Sequence, residues 1–219
     1  MSKNEQALQA IQEGNLEDAA KWLTEAIEED PDDALAYINF ANVLSELGET
    51  EKALSFYKRA IELDGSAAAA YYGAGSLYYN DEKYAEALTM YQQAHKTGLD
   101  DASLHYMTGI TYYQSGRIPH ALASLKRALE LDDTDTEARF YFALCLAQSE
   151  QVEEAVPHFK QVAAEDETHA DAYFNLGVAA MYHNDPEEAL RYFEKTIEIQ
   201  PDHMLALNGK EQAAKLLEE

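Results

Sequence analysis

The stretch YYGAGSLYY, Tyr71–Tyr79, decides how the chain folds. It holds two adjacent tyrosine pairs with Gly73 and Gly75 between them. Paired aromatics crowd a strand and glycines weaken a helix, so local propensity leaves the stretch ambiguous. Its register with the rest of the chain does not. At a spacing of 34 residues stand YINFANVLS (37–45) upstream and HYMTGITYY (105–113), RFYFALCLA (139–147) and YFNLGVAAM (173–181) downstream. The opening residues Tyr37, Tyr71, His105, Arg139 and Tyr173 keep that step of 34 with no insertion or deletion, the mark of a repeat architecture.

Other columns hold the same phase. Ala19, Ala53, Ala87, Ala121, Ala155 and Ala189 form one; Leu23, Tyr57, Tyr91, Leu125, Phe159 and Phe193 another; Ala26, Ala60, Ala94, Ala128, Val162 and Thr196 a third. A looser turn column reads Gly14, Gly48, Glu82, Gly116, Glu150 and Asn184. Each unit reads as two amphipathic helices. Tyr37, Phe40, Ala41 and Leu44 share one helical face, Gly48 ends that helix, and Ala53, Tyr57 and Ala60 mark the inner face of the next. Asp185, Pro186 and Glu188 supply an N-cap, a first-turn proline and a third-position acid. The frames are 1–33, 34–67, 68–101, 102–135, 136–169 and 170–203, expected to form one domain, with 204–219 as a capping helix whose apolar face runs through Leu207, Ala214 and Leu217.

This unit length and these columns resemble the tetratricopeptide repeat family over residues 1–203, and the whole chain is similar to a small bacterial member. The resemblance implies an all-α, right-handed superhelical solenoid of six helix-turn-helix repeats, with first helices lining a concave face that binds peptides or protein segments. In that packing Gly75, Gly109 and Gly177 let helices of neighbouring layers approach, and Gly73 lies near the groove with room for a ligand. Lys3 and Gln6 replace apolar residues in the first repeat, as suits a wet outer face. His105 and Arg139 in the aromatic column read as amphipathic packing with a polar tip at the rim. Pro157 is expected to distort the second helix of the fifth repeat.

Composition limits what such a surface meets. The net charge is −25, from 41 acidic and 16 basic residues, which disfavours nucleic acid and anionic membrane and favours basic partners; solubility alone is the other reading of that charge. No run of apolar residues is long enough for a membrane span, and the N-terminal stretch lacks a signal-peptide layout. A single cysteine, Cys145, excludes an internal disulfide, suits a cytoplasmic setting, and reads as a buried small hydrophobe. The seven histidines form no metal-binding motif, no glycine-rich phosphate loop is present, and adjacent carboxylates read as helix ends. We therefore expect a non-catalytic protein with no cofactor and no metal.

The tyrosine pairs then separate. Tyr71 and Tyr78 fall in packing columns, whereas Tyr72 and Tyr79 are rotated by about 100° toward the concave face. Steps of 34 carry Tyr72 to Tyr106, Phe140 and Phe174, and Tyr79 to Tyr113, with Ile110, Leu144 and Val178 between the two series. Four open aromatics would present about 600 Å²; packing without ligand contact is the alternative. Asn39, Asn42 and Asn175 are placed to bond a peptide backbone. The six groove columns, containing Ala69, Tyr72, Gly73, Ser76, Tyr79 and Asn80, hold no Lys or Arg within residues 1–203 and three acids, Glu46, Glu137 and Asp171. Family members that grip carboxylate tails use groove lysines and an arginine, so the resemblance implies another ligand here: an apolar or basic segment, with basic RNA-handling enzymes as one client class. A monomer is favoured; self-association through the repeat ends is the alternative.

Overall fold

The computed structural model describes residues 1–218, which form thirteen helices and no strand among them. The chain divides into two compact units, Met1–Ser115 and a second that begins at Gly116.

The first unit holds α1 (Lys3–Gln12), α2 (Leu16–Glu29), α3 (Ala34–Glu46), α4 (Thr50–Leu63), α5 (Ala68–Asn80), α6 (Tyr84–Lys96) and α7 (Ala102–Gln114). The second holds α8 (Ile118–Leu131), α9 (Thr136–Gln148), α10 (Val152–Glu165), α11 (Ala170–Tyr182), α12 (Pro186–Ile199) and α13 (Met204–Glu218). Within each unit every helix packs on the next in sequence. The sequence columns form the cores: all six members of the alanine column and all six of the large apolar column that follows it are buried.

Helix starts follow the repeat too. Asp33, Asp101 and Asp135 cap α3, α7 and α9 through side-chain oxygens that accept backbone N–H bonds. His169 takes the same place on α11 through Nδ1. Asp185 caps α12 by accepting from the Glu188 N–H at 2.9 Å, with Pro186 at the first helical position. The turn column is uniform in backbone despite its mixed residues: Gly14, Gly48 and Gly116 adopt left-handed φ, and so do Glu82 (57°), Glu150 (63°) and Asn184 (58°).

The glycines serve two different contacts. A Cβ on Gly75 would lie 2.6 Å from the Tyr91 ring, and one on Gly177 would lie 2.6 Å from Phe193. Both rings belong to the second helix of the same repeat, so the close approach is within a repeat rather than between neighbouring layers. Gly73 is the residue that admits a neighbouring repeat: a Cβ there would overlap the ring of Tyr57 on α4. Its space is filled by that tyrosine, not kept for a ligand.

Four further expectations meet specific geometry. Arg139 is buried rather than at the rim, and its Nη2 donates to the Asp133 carbonyl. Lys3 keeps its ammonium 4.5 Å over the Trp22 ring and pairs with Glu25, a packed use of a polar residue. α10 continues through Pro157 from Val152 to Glu165. α13 buries Ala206 and Ala213 against the preceding helices and leaves Leu207 and Leu217 exposed, because the Phe193 ring fills the space beside Gly209 and only small residues fit there.

Candidate functional site

Each unit carries a cleft on its first helices. In the second unit the cleft encloses about 510 Å³ and lies among the end of α9, α10 and α11. Ala155 and Phe159, both buried, form its floor; Ala147, Glu150 and Val152 line one side; Asn175, Val178, Ala179 and Tyr182 line the other. Val178 is 45% and Tyr182 68% exposed, a large solvent-facing apolar surface for residues at a helix face. Asn175 donates through Nδ2 to the Asp171 carbonyl at 2.8 Å, which fixes the amide.

The first unit's cleft is smaller, about 350 Å³, and more polar. Leu8 and Ile11 of α1 face Asn39, Asn42, Val43, Ser45 and Glu46 of α3, with Tyr57 of α4 beneath. The Tyr57 hydroxyl donates to Asn42 Oδ1 at 2.5 Å, and burial pushes its pKa up to about 12, so it remains a donor. Asn39 is only 8% exposed and its Nδ2 has no hydrogen-bond partner in the protein. A buried amide donor left unsatisfied costs about 1–3 kcal/mol, which a bound carbonyl would recover.

The three asparagines expected in the groove therefore line clefts, but the aromatic ladder divides. Phe140 is buried against Phe159 (ring centroids 5.9 Å apart) and His169 (4.4 Å), and Ile110 is buried as well. Phe174 is half-buried between Phe193 at 5.9 Å and His203 at 4.8 Å. Tyr72 is half-buried on Tyr91 at 5.8 Å, and Tyr79 on Tyr84 at 5.9 Å; burial raises the pKa of both hydroxyls. Tyr106, Tyr113 and Leu144 are also half-buried. The ladder is thus partly packed, and its exposed area is well below the sum of open rings.

Sequence reasoning missed two features here. Tyr182 is the most exposed large side chain of the second cleft, and it falls in the groove column of Asn80. The other is a repeated histidine device. His169 Nδ1 accepts from the Ala172 N–H at 3.2 Å while its Nε2 lies 3.9 Å from Glu137. His203 does the same with the Ala206 N–H at 3.1 Å and Asp171 at 3.2 Å. Two of the three groove acids are thereby held by histidines that also cover Phe140 and Phe174. The spacing of 34 between the two histidines was the available signal. Cys145 is fully buried, and burial pushes its thiol up to about 12, so it acts as a small apolar core residue.

Models of the tetratricopeptide repeat match residues 10–71, 72–136, 106–170 and 170–203. The TPR repeat-containing protein YrrB of Bacillus subtilis (strain 168) is 56% identical over 39 residues, a span of 18% of this chain and 19% of that protein. A crystal structure of YrrB, described as a TPR protein with an unusual peptide-binding site, matches at 48% identity and a TM-score of 0.82, covering 88% of this chain and all of that one. PilF of Pseudomonas aeruginosa shares the fold at 20% identity, with a TM-score of 0.83 over 96% of each chain. The unbroken 34-residue register, the buried columns it generates and these matches agree, and the chain belongs to the tetratricopeptide repeat family.

Proposed function

We propose that this protein is a non-catalytic adaptor that binds a peptide segment of a client protein, with the cleft of the second unit as the principal apolar anchor site. The observation that carries the reading is the exposure of Val178 and Tyr182 around a cleft floored by Phe159. An apolar client side chain would seat against Phe159, and Tyr182 would close over it. The family's use as an interaction scaffold and the peptide-binding site described for YrrB support this assignment.

The client segment combines apolar anchors with Lys or Arg. Glu150 stands at the second cleft and Glu46 at the first, and the net charge of −25 attracts cations over a wider range. Steering of this kind raises the association rate and weakens as salt is added. Asn39 with its unpartnered Nδ2 would hold a backbone carbonyl in the first cleft. The half-buried Tyr72, Tyr79, Tyr106, Tyr113, Phe174 and Leu144 add contact at their open edges. Enzymes that act on RNA carry basic surfaces and are one client class with this chemistry. No described helix is long and apolar enough to cross a membrane, and a single buried cysteine suits work in a reducing cytoplasm.

A displayed peptide library tests the reading against the native chain and a folded Val178→Asn/Tyr182→Ala variant. We expect apolar peptides with Lys or Arg to enrich on the native chain and to lose binding on the variant. Enrichment of no peptide class, or equal binding by both proteins, would sink it.

A second reading, self-association, is favoured by one observation: Met204, Leu205, Leu216 and Leu217 of α13 are all exposed. Sedimentation velocity of the native chain and of Leu205→Ser/Leu216→Ser distinguishes it. A concentration-dependent dimer lost in the variant supports it, and a monomer at all concentrations rejects it.

A further inference from the structure

We propose that His95, Asp100 and His105 form a binding site for one divalent transition-metal ion, Zn²⁺ or a close relative, which clips the end of α6 to the start of α7. His95 lies in the last turn of α6, Asp100 just before the N-cap Asp101, and His105 in the first turn of α7. Gly98, at φ +106°, turns the chain between them. All three side chains lie in the first unit.

The donors already converge. His105 Nε2 is 2.5 Å from Asp100 Oδ1, His95 Nδ1 is 3.8 Å from the same oxygen, and one ligand atom from each residue lies within 4.8 Å of the others. Two donors held about 2.0–2.2 Å from a tetrahedral ion stand about 3.3 Å apart. Side-chain rotations that move the donors by about 1 Å therefore suffice, with the backbone in place. Among the described residues this is the one group of three such donors. The other histidine–acid pairs, His169–Glu137, His203–Asp171 and His183–Glu153, offer two donors each.

The donor set selects the cation. Two imidazoles and one carboxylate suit Zn²⁺, Co²⁺, Ni²⁺ or Cu²⁺, whereas Ca²⁺ and Mg²⁺ want oxygen ligands. His95 Nδ1 donates to the Leu99 carbonyl at 3.1 Å, so binding through Nδ1 gives up that bond, whereas binding through Nε2 keeps it and the ring's orientation toward the turn. Solvent reaches the site, since the His95 side chain is 56% and that of Asp100 45% exposed. Water would complete the coordination, so the ion acts as a clip between two repeats rather than as an enclosed structural centre. Without a metal the same residues form a hydrogen-bonded polar cluster, and the experiment separates the two states.

Metal-stripped protein is titrated with Co²⁺ and followed by visible d–d absorption and calorimetry. We expect bands that saturate at one equivalent and vanish when Zn²⁺ displaces the probe, and a Tm that rises with Zn²⁺ concentration. Loss of a ligand should weaken binding at least about tenfold, so His95→Ala and His105→Ala both lose the bands at one equivalent. His183→Ala, a control at a two-donor pair, should titrate as the native chain does. His95 is exposed, so its variant keeps the fold even if His105→Ala disturbs the α7 start; circular dichroism checks both. The proposal is overturned if the native chain shows no bands and no heat at one equivalent, or if folded His95→Ala titrates like the native chain.

Discussion

The two clefts share one wall of first-helix columns four repeats apart, yet their chemistry differs. Asn39, Asn42, Val43 and Glu46 in the first unit correspond to Asn175, Val178, Ala179 and Tyr182 in the second. Beneath them the large apolar column supplies Tyr57, from the same repeat as the asparagines, to one, and Phe159, from the repeat before Asn175, to the other. The repeat backbone fixes where these side chains stand, while the residues decide what each cleft can hold. One presents an unpartnered amide and the other an apolar floor with an exposed ring, and each has a carboxylate at its wall. One repeat fold thus offers two chemically different surfaces without any change of backbone.

The contrast can be broken most severely from below. Phe159→Ala removes the floor of the second cleft and should cost about 4 kcal/mol of stability, read by urea unfolding. A midpoint equal to that of the native chain would show that the floor carries little packing. Next comes overpacking at the glycines. Gly177→Leu and Gly75→Leu each drive a side chain into an aromatic ring and should each cost about 3 kcal/mol, also by urea unfolding. If only one of them destabilises, the two units differ in their tolerance as well as their chemistry.

The Tyr57 and Phe159 difference predicts a pH effect that Phe159 does not share. An unfolded tyrosine ionises near pH 10, whereas folded Tyr57 keeps its proton to about 12. Between those values the unfolded state holds fewer protons, so stability falls as pH rises, by about 2 kcal/mol across the window. Trp22, the one tryptophan, lies in the first unit and reports its unfolding by fluorescence. Burial also raises Tyr91, Tyr72 and Tyr79 of the same unit, so Tyr57→Phe should reduce that pH dependence by about this amount rather than abolish it, and a variant that keeps the full native slope would show that Tyr57 does not contribute.

Binding effects are smaller. Tyr182→Ala should weaken an apolar peptide about 30-fold, roughly 2 kcal/mol at an anchor residue, measured by calorimetry. Smaller still, Val178→Asn and Asn42→Val exchange the clefts' character. Each should shift preference between apolar and polar peptides about fivefold, roughly 1 kcal/mol, in opposite directions. Shifts of the same sign would show that the columns alone do not set the preference.

The fold was legible because a strict period leaves little freedom: the alanine column could be buried on every turn only as stacked helix pairs. The site was legible in part. Asn39, Asn42 and Asn175 could be placed by register, since each sits one helical step from a core column. Phe140 and Phe174 could not, because their columns lie at the border between core and groove, and the side depends on a partner from the next turn. There His169 and His203 close over the rings, a contact between residues 29 positions apart that a single column does not reveal. His95, Asp100 and His105 escaped notice for the opposite reason: they cluster across one irregular turn, outside the period altogether.

Glu150 joins two facts about this molecule. Its backbone holds φ at +63°, where a residue with a Cβ is strained by about 1–2 kcal/mol, and its side chain stands at the second cleft. Gly48 and Gly116 make the same turn without a side chain. Under the proposed function, stability and recognition compete at this position. Protein engineers seeking a tougher scaffold would choose glycine there and gain thermal resistance, and in doing so would remove a carboxylate from the cleft.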